Sequence, residues 1–180
     1  LISEKFIPSI PVFVDSPLAV QASQVFIRHP ECFDAETNTF IQEHRHPALS
    51  FPNLTYVGSV AESKAINDLK GPLVIISASG MAETGRILHH LKNNLDDPRN
   101  IVLIVSWQAP ETLGRRLADG ANVARIFGEE YPVRAEVKKI AGLSAHAGQD
   151  GLLRYAHSLR GRVREIFLVH GEPDAAAVFR

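Results

Sequence analysis

Leu73-Val74-Ile75-Ile76-Ser77-Ala78-Ser79-Gly80-Met81 carries an apolar run straight into a loop of small residues. A continuous apolar run of this length, entered through Gly71-Pro72, reads as a central parallel strand buried on both faces. Beyond the loop, Ile87, Leu88, Leu91 and Leu95 recur at helical spacing. Strand, small-residue loop and helix in this order aim backbone N–H groups at a phosphate. The Lys-Ser/Thr of a P-loop is missing, so a plain strand-to-helix turn stays open as the alternative.

Upstream, Ile10–Val14 is a second short apolar run, closed by Asp15-Ser16-Pro17. Ser16 suits an N-cap and Pro17 the first helical position, where a missing N–H costs nothing. Leu18, Ala22, Val25 and Phe26 then form one apolar face, and Asp15 is left at a strand–helix junction, where a local capping role is the plain reading. The tract from Cys32 to Pro52 is polar and without period, which predicts a loop with at most one helical turn. Its His44-Arg45-His46 triplet is followed by Ala48 and Leu49 rather than Asp and His, so it is rejected as a metal motif. Leu54–Val57 reads as a strand, with Ser59 or Ser63 starting a helix that Gly71-Pro72 ends.

Downstream, Asn100–Val105 reads as a buried strand and about Glu111 to Leu117 as a helix stopped by Gly120. Val123–Phe127 and Val133–Ile140 read as further strands. His89-His90 are adjacent on their helix, point apart and read as surface or packing residues. Ser144 is positioned to cap a helix through Leu152, Leu153 and Tyr155, which would place His146 in its first turn. Ile166–Val169 reads as a buried strand ending at His170, with Gly171 releasing the chain. Strands alternating with helices predict an α/β fold, doubly wound around a largely parallel sheet. Ligands collect at the carboxyl ends of such strands, where Asp15, the Ser77 loop and His170 fall.

The totals bound the function. A formal charge of −1 over 180 residues gives no support for a globally basic nucleic-acid binder, so such contacts need a local patch. The single cysteine, Cys32, excludes an intrachain disulfide framework and suits a reducing, cytoplasmic compartment. No apolar run approaches the ~18 residues that span a bilayer, so no membrane role is expected. The first residue is Leu1 and the last, Arg180, follows closely on His170, so a piece of a longer protein is expected.

Six short motifs stand in one order: Asp15-Ser16-Pro17-Leu18-Ala19, Ser77-Ala78-Ser79-Gly80-Met81, Thr112-Leu113-Gly114-Arg115, Phe127-Gly128-Glu129, Leu143-Ser144-Ala145-His146-Ala147 and Val169-His170-Gly171-Glu172. The series resembles the β-CASP branch of the metallo-β-lactamase superfamily. It looks most like the bacterial and archaeal RNA-processing nucleases related to the nuclease subunit of the cleavage and polyadenylation specificity factor. The resemblance implies a β-CASP domain over residues 1–130. Residues 131–180 would be the returning C-terminal piece of a metallo-β-lactamase αββα fold.

By the same resemblance Asp15 matches the acidic motif that orients a catalytic histidine. His146 matches that histidine, which contacts the scissile phosphate and protonates the leaving oxygen. Ser77, Ser79, Gly80 and Ser144 match positions lining the phosphate cleft, and Arg115 could add charge along the RNA path. His170 matches a zinc ligand of RNA-cleaving members. The implied function is zinc-dependent hydrolysis of RNA phosphodiester bonds, endo- or exonucleolytic, with two zinc ions in the parent protein. RNA is the implied partner, and a homodimer is compatible with the resemblance.

The family's His-x-His-x-Asp-His motif is absent, and one imidazole is far short of a dinuclear zinc site. This chain alone is therefore expected to hold no zinc and to be inactive. The rival reading is a non-catalytic module that binds RNA or a catalytic homologue. A third, a nucleotide-binding enzyme using Ser77–Met81 as its phosphate loop, would need an acidic residue after the next strand. Ser106-Trp107-Gln108 stands there instead.

Overall fold

The computed structural model describes residues 6–44, 49–140, 142–143, 146–169 and 173–178. The chain divides into two compact units, Leu1–Leu143 and Ser144–Arg180.

In the first unit, β1 (Val12–Asp15) is the centre of a parallel sheet, with β2 (Leu54–Tyr56) on one side and β3 (Val74–Ser77) on the other. Helix α1 (Pro17–Arg28) follows β1 as the sequence predicts. Ser16 is its N-cap, with the hydroxyl accepting from the Ala19 N–H at 3.3 Å, and Pro17 opens the helix. Helix α2 spans Ala35–His44 and α3 spans Val60–Ala65. Ser59 starts α3 through a full capping box: its hydroxyl accepts from the Glu62 N–H, and the Glu62 carboxylate accepts from the Ser59 and Gly58 N–H groups. Those backbone donors hold the Glu62 carboxyl below its ordinary range.

Several sequence expectations for this unit need correction. First, the Leu73–Ile76 run is not central. β1 takes that place with Val12 and Val14 buried, while β3 lies at the edge with Val74 39% and Ile76 52% exposed. Second, β4 (Ile101–Ile104) likewise buries only one face, since Ile104 is enclosed and Ile101 and Leu103 are open. Third, the predicted apolar face of α1 points outward, with Leu18, Ala22, Val25 and Phe26 exposed. The half-buried side is Ala19, Val20 and Ser23. Fourth, α2 replaces an expected loop because Asp34 caps it: the carboxylate accepts from the Thr37 N–H at 2.8 Å. Of the rejected His44-Arg45-His46 triplet, Arg45 and His46 lie outside the described residues.

The main core lies under α4 (Arg86–Asn94), β4, α5 (Leu113–Ala118) and β5 (Val123–Ile126). Leu91, Leu95, Leu113, Leu117 and Ile126 meet there, and burying each such side chain contributes roughly 1.5–3 kcal/mol. β5 pairs antiparallel with β6 (Glu129–Pro132) across Phe127-Gly128, so β5 ends one residue earlier than the sequence suggests. The predicted Val133–Ile140 strand is shorter, β7 (Glu136–Lys139). It pairs in parallel with β4, from Ile101 opposite Glu136 to Ile104 opposite Lys139. Three of the four described strand pairings are parallel, giving the α/β, largely parallel architecture that the alternation predicts.

The second unit holds α6 (Gln149–Ser158) and α7 (Pro173–Val178). Helix α6 begins later than expected. Gly148 is its N-cap without a side-chain bond, Asp150 faces the positive end of the helix dipole, and exposed His146 precedes the helix rather than sitting in its first turn. Ser144, the expected cap, lies outside the described residues, as do His170 and Gly171. Ile166–Val169 is not a buried strand. Phe167 is 80% and Val169 83% exposed, and no described strand pairs with the run. An apolar run predicts a strand only where a neighbour exists to satisfy its backbone.

Candidate functional site

Asp15 ends β1 and Ser77 ends β3, and the two are partners in the parallel register. Because β2 and β3 flank β1 on opposite sides, their carboxyl ends open at a topological switch point, where doubly wound sheets bind ligands.

The Asp15 side chain is fully buried. One carboxylate oxygen accepts from the Ser63 hydroxyl of α3 at 2.5 Å and lies 2.6 Å from His90 Nε2 of α4. The other is ion-paired with Arg86. Arg86 also donates to the Val57 carbonyl at 3.3 Å, and the Ser77 hydroxyl donates to the Asp15 carbonyl at 2.9 Å. Burial pushes the Asp15 carboxyl up. The bonds from Ser63, Arg86 and His90, with the Arg86 charge, outweigh it and hold the group below the usual carboxylate range. The carboxylate therefore ties β1 to α3 and α4, while the Asp15 main-chain carbonyl takes the bond from Ser77 of β3. His90 Nδ1 is buried and has no hydrogen-bond partner among the described residues.

The Ser77 loop rests on this centre. The Ser79 hydroxyl accepts from the Glu83 and Thr84 N–H groups at 3.3 and 3.4 Å, and its N–H donates to the Thr84 carbonyl. Gly80 is exposed, and its carbonyl accepts from the buried Gln108 side chain at 2.9 Å. Gly85 turns the chain into α4 at φ 84°, and a Cβ there would lie 2.8 Å from the Ala78 carbonyl oxygen, so glycine is required.

The loop is braced from the other side by α5. Thr112 caps that helix, and the Gly114 N–H donates to the Met81 carbonyl at 2.9 Å. A Cβ at Gly114 would overlap the Gln108 amide oxygen and come 2.9 Å from the Met81 carbonyl oxygen. Gly114→Ala is therefore expected to cost about 1–3 kcal/mol and to lower the urea midpoint at unchanged slope. An unchanged midpoint would show that the contact is not tight.

Of the residues the sequence singled out, the structure brings Asp15 and Ser77 into direct contact, with Ser79 and Gly80 on the same loop. Arg115 stands on α5 with its Nε 2.7 Å from Asp119, an exposed pair four residues apart. His146 belongs to the second unit, and Ser144 and His170 lie outside the described residues. Four residues without a site role in the sequence reading belong here: Ser63, expected as a possible helix start, His90, expected as a surface or packing residue, Gln108 and Arg86. The signal for two of them was present: Arg86 and His90 are four apart and so share one side of α4, beside the buried Leu91.

No three His, Cys, Asp or Glu side chains cluster as metal ligands among the described residues. A zinc ion thus finds no sufficient ligand set in the described part of this chain.

Fold and site together define a doubly wound α/β domain with a braced small-residue loop at its switch point. The family model of the Beta-Casp domain matches residues 1–117, and the chain belongs to the β-CASP family. A second family model, described as a Zn-dependent metallo-hydrolase RNA specificity domain, matches residues 130–180. The chain is similar to Ribonuclease TTHA0252 of Thermus thermophilus, with 39% identity over 168 residues, covering 93% of this chain and 38% of that protein. It is similar to transcription termination factor FttA of Pyrococcus abyssi at 32% identity, covering 91% of this chain and 26% of that factor. An RNase J-like protein of Methanocaldococcus jannaschii is 29% identical, covering 91% of this chain and 36% of that protein. The chain thus spans well under half the length of these relatives.

Proposed function

We propose that this chain is part of a zinc-dependent ribonuclease that hydrolyses RNA phosphodiester bonds. One observation carries the reading: similarity to a protein named a ribonuclease runs through 93% of the chain, so it extends across both compact units. The switch-point loop supports it, because a phosphate needs close backbone approach, which exposed Gly80 allows. Phosphate binding is assigned to Ser77, Ser79, Gly80 and Ser144, and the Ser77 hydroxyl is anchored on the Asp15 carbonyl. Arg115 adds charge along the RNA path. His146 donates the proton that the leaving sugar oxygen requires. Asp15 is a positioning residue, acting from within the fold to hold the ends of β1 and β3.

Zinc would supply Lewis-acid stabilisation and an activated water. His170 is the one residue of this chain assigned as a ligand, and the chain alone is expected to hold no zinc and to cleave nothing. Residues 1–130 form the β-CASP domain and 131–180 the returning metallo-β-lactamase segment. The compact unit extends past that boundary, to Leu143, because β7 is stitched to β4. No described helix is long and apolar enough to cross a membrane. We place the protein in the cytoplasm with RNA as its partner, and a homodimer fits the reading.

The test uses the longer protein and this chain side by side, with cleavage of labelled single-stranded RNA and elemental analysis. About two zinc ions and chelator-sensitive cleavage are expected of the longer protein only. Chelator-insensitive hydrolysis by the chain alone would overturn the assignment. Zinc-free, inactive longer protein that still binds RNA would favour the non-catalytic module.

A further inference from the structure

The end of the Ser77 loop forms one wall of a second feature. A cleft of about 460 Å³ lies between residues 82–85, α4, α5 and the β5–β6 turn. Leu88 contributes to an apolar floor. Arg116 of α5 and Arg125 of β5 reach it from two separate elements, and Phe127 stands at its edge. Neither guanidinium is ion-paired among the described residues. Arg116 donates to the Glu111 carbonyl and Arg125 to the Gly128 carbonyl, leaving most of the five donors of each available. The one carboxylate in the lining, Glu83, is turned to the Leu113 N–H at the start of α5.

Phe127 is the informative residue. It and Gly128 form a two-residue hairpin turn with φ 53° and 85°, the left-handed pair typical of a type I′ turn. Asn-Gly is the favoured sequence there, and a bulky aromatic at positive φ is strained. The turn nevertheless holds Phe127, 55% exposed, with its ring centroid 4.8 Å from that of His89. Turn stability does not explain an exposed, strained aromatic ring beside two arginines, whereas base stacking does.

We propose that this cleft seats one nucleotide of a single-stranded RNA, with the base stacked on Phe127 and the phosphates on Arg116 and Arg125. The inference rests on the RNA reading of the preceding subsection. It meets the requirement for a local cationic patch set by the near-neutral charge of the chain. A strand fits better than a free mononucleotide, because exposed arginines hold phosphates weakly one at a time and gain by several contacts along a backbone. Since Glu83 and Thr84 end the loop that Ser77 begins, a strand seated here continues toward Ser79 and Gly80.

The test is fluorescence anisotropy of the chain with a fluorescein-labelled single-stranded oligouridylate, across a salt series. Arg116→Ala and Arg125→Ala should each weaken binding by roughly tenfold, and the pair should reduce the salt slope by about 1.4. Phe127→Asn separates turn from ligand. It installs the favoured Asn-Gly turn, so the melting temperature should hold or rise while affinity falls by about tenfold. Wild-type affinity and salt slope in all three variants would overturn the cleft assignment while leaving the RNA reading intact. A wild-type chain that does not bind RNA even at low salt would overturn both.

Discussion

In the longer nuclease, His146→Ala is expected to lower cleavage of single-stranded RNA by about 10²–10⁴-fold, the usual contribution of a positioned general acid. His146 is exposed and precedes α6, whose N-cap is Gly148, so its loss removes neither a buried group nor a helix cap. Melting temperature and zinc content should therefore be unchanged, and the loss should fall on kcat rather than KM. A proton donor matters only where the leaving oxygen needs a proton. With a p-nitrophenyl phosphodiester, whose leaving group departs as the anion, the deficit should shrink to a small factor. An equal deficit on both substrates would remove the proton-donor role, and lost zinc would recast His146 as a structural residue.

What the sequence revealed and what it hid divide along the range of the interactions. The start of α1 was legible because Ser16 and Pro17 act within one turn, and α3 because Ser59 and Glu62 close a box over three residues. The polar composition hid α2, whose decisive contact is one Asp34 cap rather than an apolar face. The turn at Phe127-Gly128 was half hidden, because phenylalanine is not a turn residue and only the strand pairing forces it there. Apolar runs overstated burial: β3, β4 and Ile166–Val169 read alike, yet their environments differ with the neighbours each finds. The candidate site shows the same limit. Asp15 was visible as a carboxylate at a strand end, but Ser63, Arg86 and His90 reach it from 48, 71 and 75 residues away. No local spacing rule encodes that meeting.

That meeting makes Asp15→Asn the stability prediction with the largest expected effect. The amide keeps the shape of the carboxylate but replaces one acceptor by a donor. Placed toward Ser63 and His90, the NH₂ is accommodated only if the hydroxyl and the imidazole both turn to accept; placed toward Arg86, it confronts a guanidinium that cannot accept. Either way the largely buried Arg86 charge loses its carboxylate, at a cost of about 3 kcal/mol and a fall in melting temperature on the order of 10 °C. The acid dependence supplies a second, independent readout. The folded Asp15 carboxyl sits below its ordinary value, so its contribution is complete above the unfolded pKa of about 3.9 and is lost as pH falls through the lower folded value. Asp97, held at about 2 chiefly by its hydrogen bond from Arg99, adds to the same acid slope and remains in the variant. Thermal melts from pH 6 down to about pH 2.5 should therefore show wild type and Asp15→Asn converging as acid is added. Parallel curves would mean that the Asp15 carboxylate is not the charged centre tying β1 to α3 and α4.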